Sequence, residues 1–246
     1  MRLAIISDIH EDIVSLEKAL KKIDNSSVDE IACLGDIVGF SELYYPYSAS
    51  ANANECVRLV KENCRFVVSG NHDNFHAKRT PQNNLLFKYP NNWYKLEQEE
   101  RNELCSDILW TYEDDNQTKL DSTSIYYLSK LPEYICLENG LFLSHYLFPD
   151  ITGDTRVFRP WPEQCREHFA FVNEKDCNIS VSGHMHTEGF LFFSNKSRRY
   201  RKYGAYQIKE KHRHIFVPAL SSGKKKNGFC IIDFENKRIE GISISG

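Results

Sequence analysis

The chain has 246 residues, 41% hydrophobic and 26% charged, with a net charge of −3, enough for one large domain with a sizeable core or at most two small ones. No run of about 18 apolar residues could span a bilayer, and no basic and apolar leader precedes the first strand-like run, so the expected setting is the cytoplasm, away from membranes. The eight cysteines are scattered, which excludes a closely spaced zinc or redox pair and predicts free, largely buried thiols.

Residues 3–9 read as a buried strand ending on Asp8 and His10, which strand alternation would point to one side. Ile13, Leu16, Leu20 and Ile23 have the spacing of an amphipathic helix that ends near Asp24. Residues 31–34 form a second strand running into Gly35-Asp36, and a helix covers much of 48–63. Residues 64–68 form a third strand that enters a tight turn, Gly70-Asn71-His72-Asp73. This alternation predicts a mainly parallel sheet packed with helices, whose functional groups collect at the carboxyl ends of the strands. Residues 74–92 read as irregular, 93–112 as a polar helix broken at 114–116, and 120–131 as a further helix. Together, 74–131 are expected to form a cap, too poor in apolar residues to build a core of its own.

Residues 134–137 and 141–144 pair as a hairpin around Asn139-Gly140 and end at His145. A helix is expected at 162–173, opened by Pro162, then a strand at 178–182 that ends in Gly183-His184-Met185-His186. Strand-like stretches at 188–194, 204–210, 214–219, 228–234 and 238–245 predict an antiparallel meander forming or completing a second sheet. Charge is uneven: residues 198–226 hold ten Lys or Arg against Glu210 alone, a local +9 that leaves −12 on the rest of the chain. Two readings of this block stand side by side. It is either edge-strand charge that discourages aggregation, or a track for nucleic acid or another polyanion, with Tyr200, Tyr203 and Tyr206 as stacking surfaces.

Collected in order, the strand ends carry Asp8 and His10, Asp36, Asn71-His72-Asp73, His145, and His184 with His186. Buried polar groups are costly unless something satisfies them, and five strand ends converging on carboxylate, imidazole and amide point to a metal centre. Mixed nitrogen and oxygen donors suit Mn, Fe, Zn or Co better than calcium. The supply of side chains is right for two ions and excessive for one.

These motifs, Gly35-Asp36-Ile37-Val38-Gly39 and Gly70-Asn71-His72-Asp73 above all, resemble those of the calcineurin-like metallophosphoesterase superfamily, in its small prokaryotic phosphodiesterase-type branch. The resemblance covers nearly the whole chain and is weakest over 74–131. It implies an α/β fold, a four-layer αββα sandwich of two mixed β-sheets flanked by helices. That fold would form a single domain over 1–246, with a helical cap or insertion at about 74–131. It also implies two divalent transition-metal ions, with Mn the first to try in vitro. Asp8, His10 and His186 would hold one ion, Asn71, His145 and His184 the other, and Asp36 would bridge them. His72, oriented by Asp73, would then act on the substrate while a hydroxide shared by the ions attacks phosphorus in line.

Two departures refine this expectation. Protein phosphatases of the superfamily carry an Arg soon after the Gly-Asp motif, where Gly39-Phe40 stand here, which argues against a phosphoprotein phosphatase. Many relatives place Gly after the fifth motif's His, where this chain has Tyr146, a change that bears on the substrate loop. The implied substrate is a phosphodiester or phosphomonoester, of a nucleotide or nucleic-acid end. The alternative is a non-catalytic binding or scaffold protein on the same fold, which would have no need of the full ligand set or of His72. Candidate substrate contacts are Lys224, Lys225 and Lys226, in a loop that lies near the metals in relatives, together with Arg79, Arg156 and Arg159.

Overall fold

A computed structural model describes residues 1–105, 107–112 and 118–245. Two mixed six-stranded sheets lie face to face. The first runs β3 (Phe66–Val67), β2 (Glu30–Cys33), β1 (Arg2–Ile6), β11 (Gly228–Asp233), β12 (Arg238–Ser243), β9 (Gly204–Gln207). Its first three strands are parallel and the others antiparallel. The second runs β4 (Tyr134–Cys136), β5 (Leu141–Ser144), β6 (Ile179–Thr187), β10 (His214–Pro218), β7 (Phe190–Ser194), β8 (Ser197–Arg201). Here β5, β6 and β10 are parallel.

The facing sides of the sheets interdigitate through Leu3, Ile5, Val68, Leu143, Val181, Phe190, Ile215 and Ile232. Helices α1 (Ile13–Asp24), α2 (Ala53–Asn63) and α5 (Ser122–Ser129) cover the outer side of the first sheet, packing Leu16, Val57, Val60 and Leu128 with Ala4 and Ile6. Helix α6 (Arg166–Glu174) covers the second through Phe169 and Val172. The result is helix, sheet, sheet, helix: a four-layer αββα sandwich. Burial follows the sequence pattern, since α1 presents Leu16, Leu20 and Ile23 on one stripe, and Asp12 starts it by accepting from Ser15 N at 2.9 Å.

The tail departs from the expected meander. Strands β7, β8 and β10 complete the second sheet, but β9, β11 and β12 complete the first. Strand β11 is buried from Gly228 to Ile232, so it needs cover on both faces and inserts beside β1. The basic run at 198–201 belongs to β8, an exposed edge strand.

Residues 74–131 also differ. The expected 93–112 helix reduces to a 3₁₀ turn, Trp93–Lys95, and α4 (Gln98–Cys105). Residues 107–112 are drawn instead onto 154–156, where Trp110 N donates to Asp154 O and Leu109 bridges Thr155. The break expected at 114–116 lies outside the described residues. Contrary to the composition argument, the segment has a small core of Trp93, Cys105 and Leu109 with Phe87, Tyr89 and Tyr94, whereas Leu128 and Leu131 join the main core. Aromatic rings bury enough area each for three or four of them to suffice.

Candidate metal centre

Strand β1 stops at Ile6, so Asp8 and His10 are placed by a turn and not by strand alternation. Asp8, His10 and Glu11 all have left-handed φ, as do Asp36, His184 and His186. Those are six of the eleven non-glycine residues with positive φ among the described residues, and each costs about 1–2 kcal/mol. Strain of this kind gathers where the surroundings over-determine the backbone, often at functional sites. The first two loops lie against each other, with Asp8 N donating to Gly35 O and both Ile9 N and His10 N to Asp36 O, at 2.8–3.0 Å. The expected end of β6 at Ser182 is also passed: the strand continues through His184 and His186 to Thr187, its register against β10 breaking between Phe216 and Pro218.

Three clusters of donor atoms result, each within 4.8 Å: Asp8, His10 and His186; His10, Asp36 and His72; Asp36, His145 and His184. His145 Nε2 lies 3.1 Å from Asp36 Oδ2, and His10 Nε2 lies 3.7 Å from the same oxygen. His186 Nε2 is 3.3 Å from Asp8 Oδ1, and His184 Nδ1 is 3.2 Å from His145 Nε2. His10 Nδ1–H donates to Gly39 O at 2.8 Å and His145 Nδ1–H to Leu34 O at 2.7 Å. Both rings therefore turn Nε2 toward the cluster.

Asn71 is buried: its Nδ2 donates to the Tyr112 hydroxyl at 3.1 Å, while its Oδ1 accepts from nothing. An unpartnered buried carbonyl beside imidazoles and carboxylates is a donor set that fits divalent transition metals.

Electrostatics favour that use at two of the imidazoles, while at His145 a cation would have to displace a proton. Burial pushes His10 down to about 4, only partly opposed by Asp36, and burial with neighbouring His145 pushes His184 down to about 3, so both offer neutral lone pairs. Burial alone would lower His145 too, but Asp36 and Asp8 outweigh it and raise it to about 10. Burial would raise Asp36 and Asp8, yet the imidazoles beside them hold both carboxyls below the usual range.

Among the described residues the Asp73 carboxylate is taken up by backbone amides. Its Oδ2 accepts from Asp36 N and Gly70 N at 2.8 and 3.0 Å, and its Oδ1 from Ile37 N at 2.9 Å. It ties the Gly-Asp loop to helix α3 (Asn71–His76), whose first residues are the Asn-His-Asp expected as a tight turn. Glu11 does similar work from the other side, accepting from Gly39 N, Phe40 N and the Thr118 hydroxyl. Gly39, at φ +94°, passes so close to His72 that a Cβ would lie 2.3 Å from the ring nitrogen. Where Gly39-Phe40 stand in place of an Arg, the backbone is thus packed onto His72. His72 N donates to Asp36 Oδ1 at 3.1 Å, which holds this residue at the centre through its backbone.

A cavity of about 290 Å³ opens over the cluster, lined by His10, Asp36, Asn71, His72, Tyr45 and Trp110 among others. Lys224, Lys225 and Lys226 are brought to its edge, Lys225 Nζ donating to His186 O at 2.9 Å. Arg79 is not available as a substrate grip, because its nitrogens donate to Asn74 Oδ1, Ser69 Oγ and the carbonyls of Ser129 and Leu131. Arg156 lies over the Trp110 ring at 5.3 Å and 3.8 Å from Asp107, and neither it nor Arg159 lines the cavity. Tyr146 is buried, its ring centroid 4.4 Å from that of His184, so the bulky residue packs behind a candidate ligand.

Sequence reasoning missed the aromatic wall of Tyr44, Tyr45, Trp110 and Tyr112, and also the turn 150–155. In that turn Asp150 accepts from Gly153 N, Asp154 N and Thr155 N. Gly153, at φ +81°, lies against the His184 ring, where a Cβ would come within 2.6 Å of Nδ1. Asp-x-x-Gly-Asp-Thr is turn chemistry that could have flagged it.

The calcineurin-like phosphoesterase family model matches residues 1–188. The chain is 27% identical over 257 residues to the uncharacterized protein MJ0912 of Methanocaldococcus jannaschii, covering 98% of this chain and 86% of that protein. Among solved structures it resembles a metallophosphoesterase from Sphaerobacter thermophilus, with a TM-score of 0.67 and 20% identity over 100% of this chain and 88% of the other. It also resembles the hypothetical protein PH1004 from Pyrococcus horikoshii OT3, with a TM-score of 0.61 and 17% identity over 99% and 88%. Among the described residues no helix is long and apolar enough to cross a membrane.

Proposed function

The chain belongs to the calcineurin-like phosphoesterase family, and on that premise we propose that it hydrolyses a phosphate ester at a pair of divalent transition-metal ions. The ester is a diester or monoester of a nucleotide or nucleic-acid end. The observation that carries this reading is the merging of three donor clusters through His10 and Asp36, beside the unpartnered Oδ1 of Asn71. Asp8, His10 and His186 would hold one ion, Asn71, His145 and His184 the other, with Asp36 common to both. Such ions, when bound, supply Lewis acidity toward phosphoryl oxygens and a more acidic water.

The chain's own groups do the rest. Gly39 O and Leu34 O orient the rings of His10 and His145. Asp73 and Glu11 hold the loops in register. His72, seated against Gly39, would balance charge on the phosphoryl oxygens or give its proton to the leaving oxygen. We further read 1–246 as one domain in which 74–131 acts as the cap, contributing Trp110 and Tyr112 to the cavity wall.

The test is turnover of bis(p-nitrophenyl) phosphate and of p-nitrophenyl phosphate by protein reloaded with Mn²⁺. Metal-dependent release of p-nitrophenol is expected, and the ratio of the two rates separates diesterase from monoesterase. Failure of both esters with Mn, Fe, Zn and Co in turn would favour the scaffold alternative.

A further inference from the structure

Two hollows meet at the mouth of the candidate centre. The one over the donor clusters, of about 290 Å³, and a second of about 300 Å³ share Tyr44, Tyr45 and His186. They form one groove, and its outer end is lined by Lys224, Lys225 and Lys226. Together they fall within the usual size of small-molecule sites.

The lysine loop is tied to the loop that carries Asp8 and His10. Leu220 N donates to Ser7 O at 2.8 Å and Ser221 N to Asp8 O at 2.9 Å, and Ser222 N donates to Asp12 Oδ2 at 2.7 Å. The far end closes back through Asn227 Nδ2 to Leu220 O at 2.7 Å and Gly228 N to Ala219 O at 3.0 Å. The three lysines are exposed. Lys225 Nζ rests on the carbonyl of His186, a candidate ligand, and among the described residues no carboxylate pairs with any of the three. Between them and the centre, the Tyr45 ring stacks on His10 at 5.0 Å and 28°, and Tyr44 is 69% exposed.

This separates the basic block into unlike parts. Arg198 to Arg201 lie on the edge strand, with Arg198 over Trp161 at 3.6 Å, as edge protection would have it. Lys224 to Lys226 belong to a groove.

We propose that this groove seats a second phosphate: the ester taken by the centre carries a neighbouring phosphate that Lys224, Lys225 and Lys226 hold, with a planar group on Tyr44. Three ammonium groups beside a site that already takes phosphate have an anion as their complement, and exposed tyrosine faces suit a base. The inference rests on the phosphoesterase reading and deepens it. The second phosphate comes from a nucleoside polyphosphate or from the next linkage of a nucleic-acid strand.

The experiment compares Mn²⁺-loaded wild type with the Lys224→Ala, Lys225→Ala, Lys226→Ala triple variant and the corresponding triple Arg variant. Turnover is measured on TpT and pTpT and on a dinucleoside monophosphate and tetraphosphate, and binding is measured calorimetrically with methylphosphonate and methylenediphosphonate. The triple Ala variant should lower about tenfold the ratio of kcat/KM on the partner with extra phosphate to that on its simpler partner, and this loss should shrink as salt rises. The triple Arg variant should restore it. Whichever pair shows the larger lysine-dependent loss identifies the source. Equal effects on both members of each pair, or none, would overturn the inference while leaving the phosphoesterase reading intact. If instead no ester is turned over, that reading fails, and the phosphonates still decide the inference: an unchanged preference for the diphosphonate in the Ala variant overturns it.

Discussion

Asp73→Asn separates a brace from a catalytic partner. In the wild-type chain the two Asp73 oxygens accept from the amides of Asp36, Gly70 and Ile37, with Val38 N more distant at 3.3 Å. Asparagine keeps one acceptor and turns an NH₂ toward the other amides, whichever way the group is flipped. One or two buried N–H groups are orphaned, at about 1–3 kcal/mol each. Part of this is offset, since burial and the nearby Asp36 charge push the Asp73 carboxyl up to about 6, and the neutral amide avoids that strain. The net loss expected is about 2–3 kcal/mol, read by urea unfolding at pH 7.5, together with weaker Mn²⁺ binding because Asp36 and Asn71 shift. A stability loss under about 1 kcal/mol with metal retained and kcat alone reduced would refute the bracing account and return Asp73 to orienting His72.

His72→Asn should keep the metal content of wild type and lower kcat by about 10²–10⁴ on esters with poor leaving groups, less with p-nitrophenol; loss of metal in atomic absorption would show that the ring is a ligand. Glu11→Ala should cost about 2–4 kcal/mol and weaken Mn²⁺ binding about 10–100-fold through the Gly39 carbonyl that anchors His10, whereas Glu11→Gln, which can still accept from both amides, should stay near wild type in the same titration. Burial lowers His168 from 6.5 to about 3, so below pH 6.5 the unfolded chain takes up a proton that the folded one does not, and stability falls as pH drops. Between pH 7.5 and 5 this amounts to about 2 kcal/mol, and His168→Gln should remove that share of the pH dependence in urea unfolding; identical pH profiles would contradict the assignment.

What was legible in the sequence was local. Each motif combines an apolar run with a polar stretch a few residues long, and the side chains of Asp8, Asp36, Asn71 and His145 converge because those stretches follow neighbouring strands, while His184 reaches them from within β6. The periodicities predict helix-covered sheets, and the four αββα layers are what the family resemblance implies. Alternation says that a strand has two faces, but not which sheet it joins, so β9, β11 and β12 could not be separated from β7, β8 and β10 without long-range pairing such as Ile5 with Cys230. Left-handed backbone at Asp8, His10, His184 and His186 is invisible to residue patterns, because nothing but the packed loops imposes it. The wall formed by Trp110 and Tyr112 was hidden in a polar, helix-like stretch whose fate was decided by contacts to Asp154 and Thr155.

The most direct test of the central claim is metal stoichiometry, measured by calorimetric titration of chelator-stripped wild type and Asp36→Ala with Mn²⁺. Because Asp36 Oδ2 lies within reach of both His10 and His145, two equivalents should bind to wild type and neither should bind tightly to the variant. Two equivalents retained by Asp36→Ala, or fewer than two bound by wild type, would contradict a paired-metal centre built on that carboxylate.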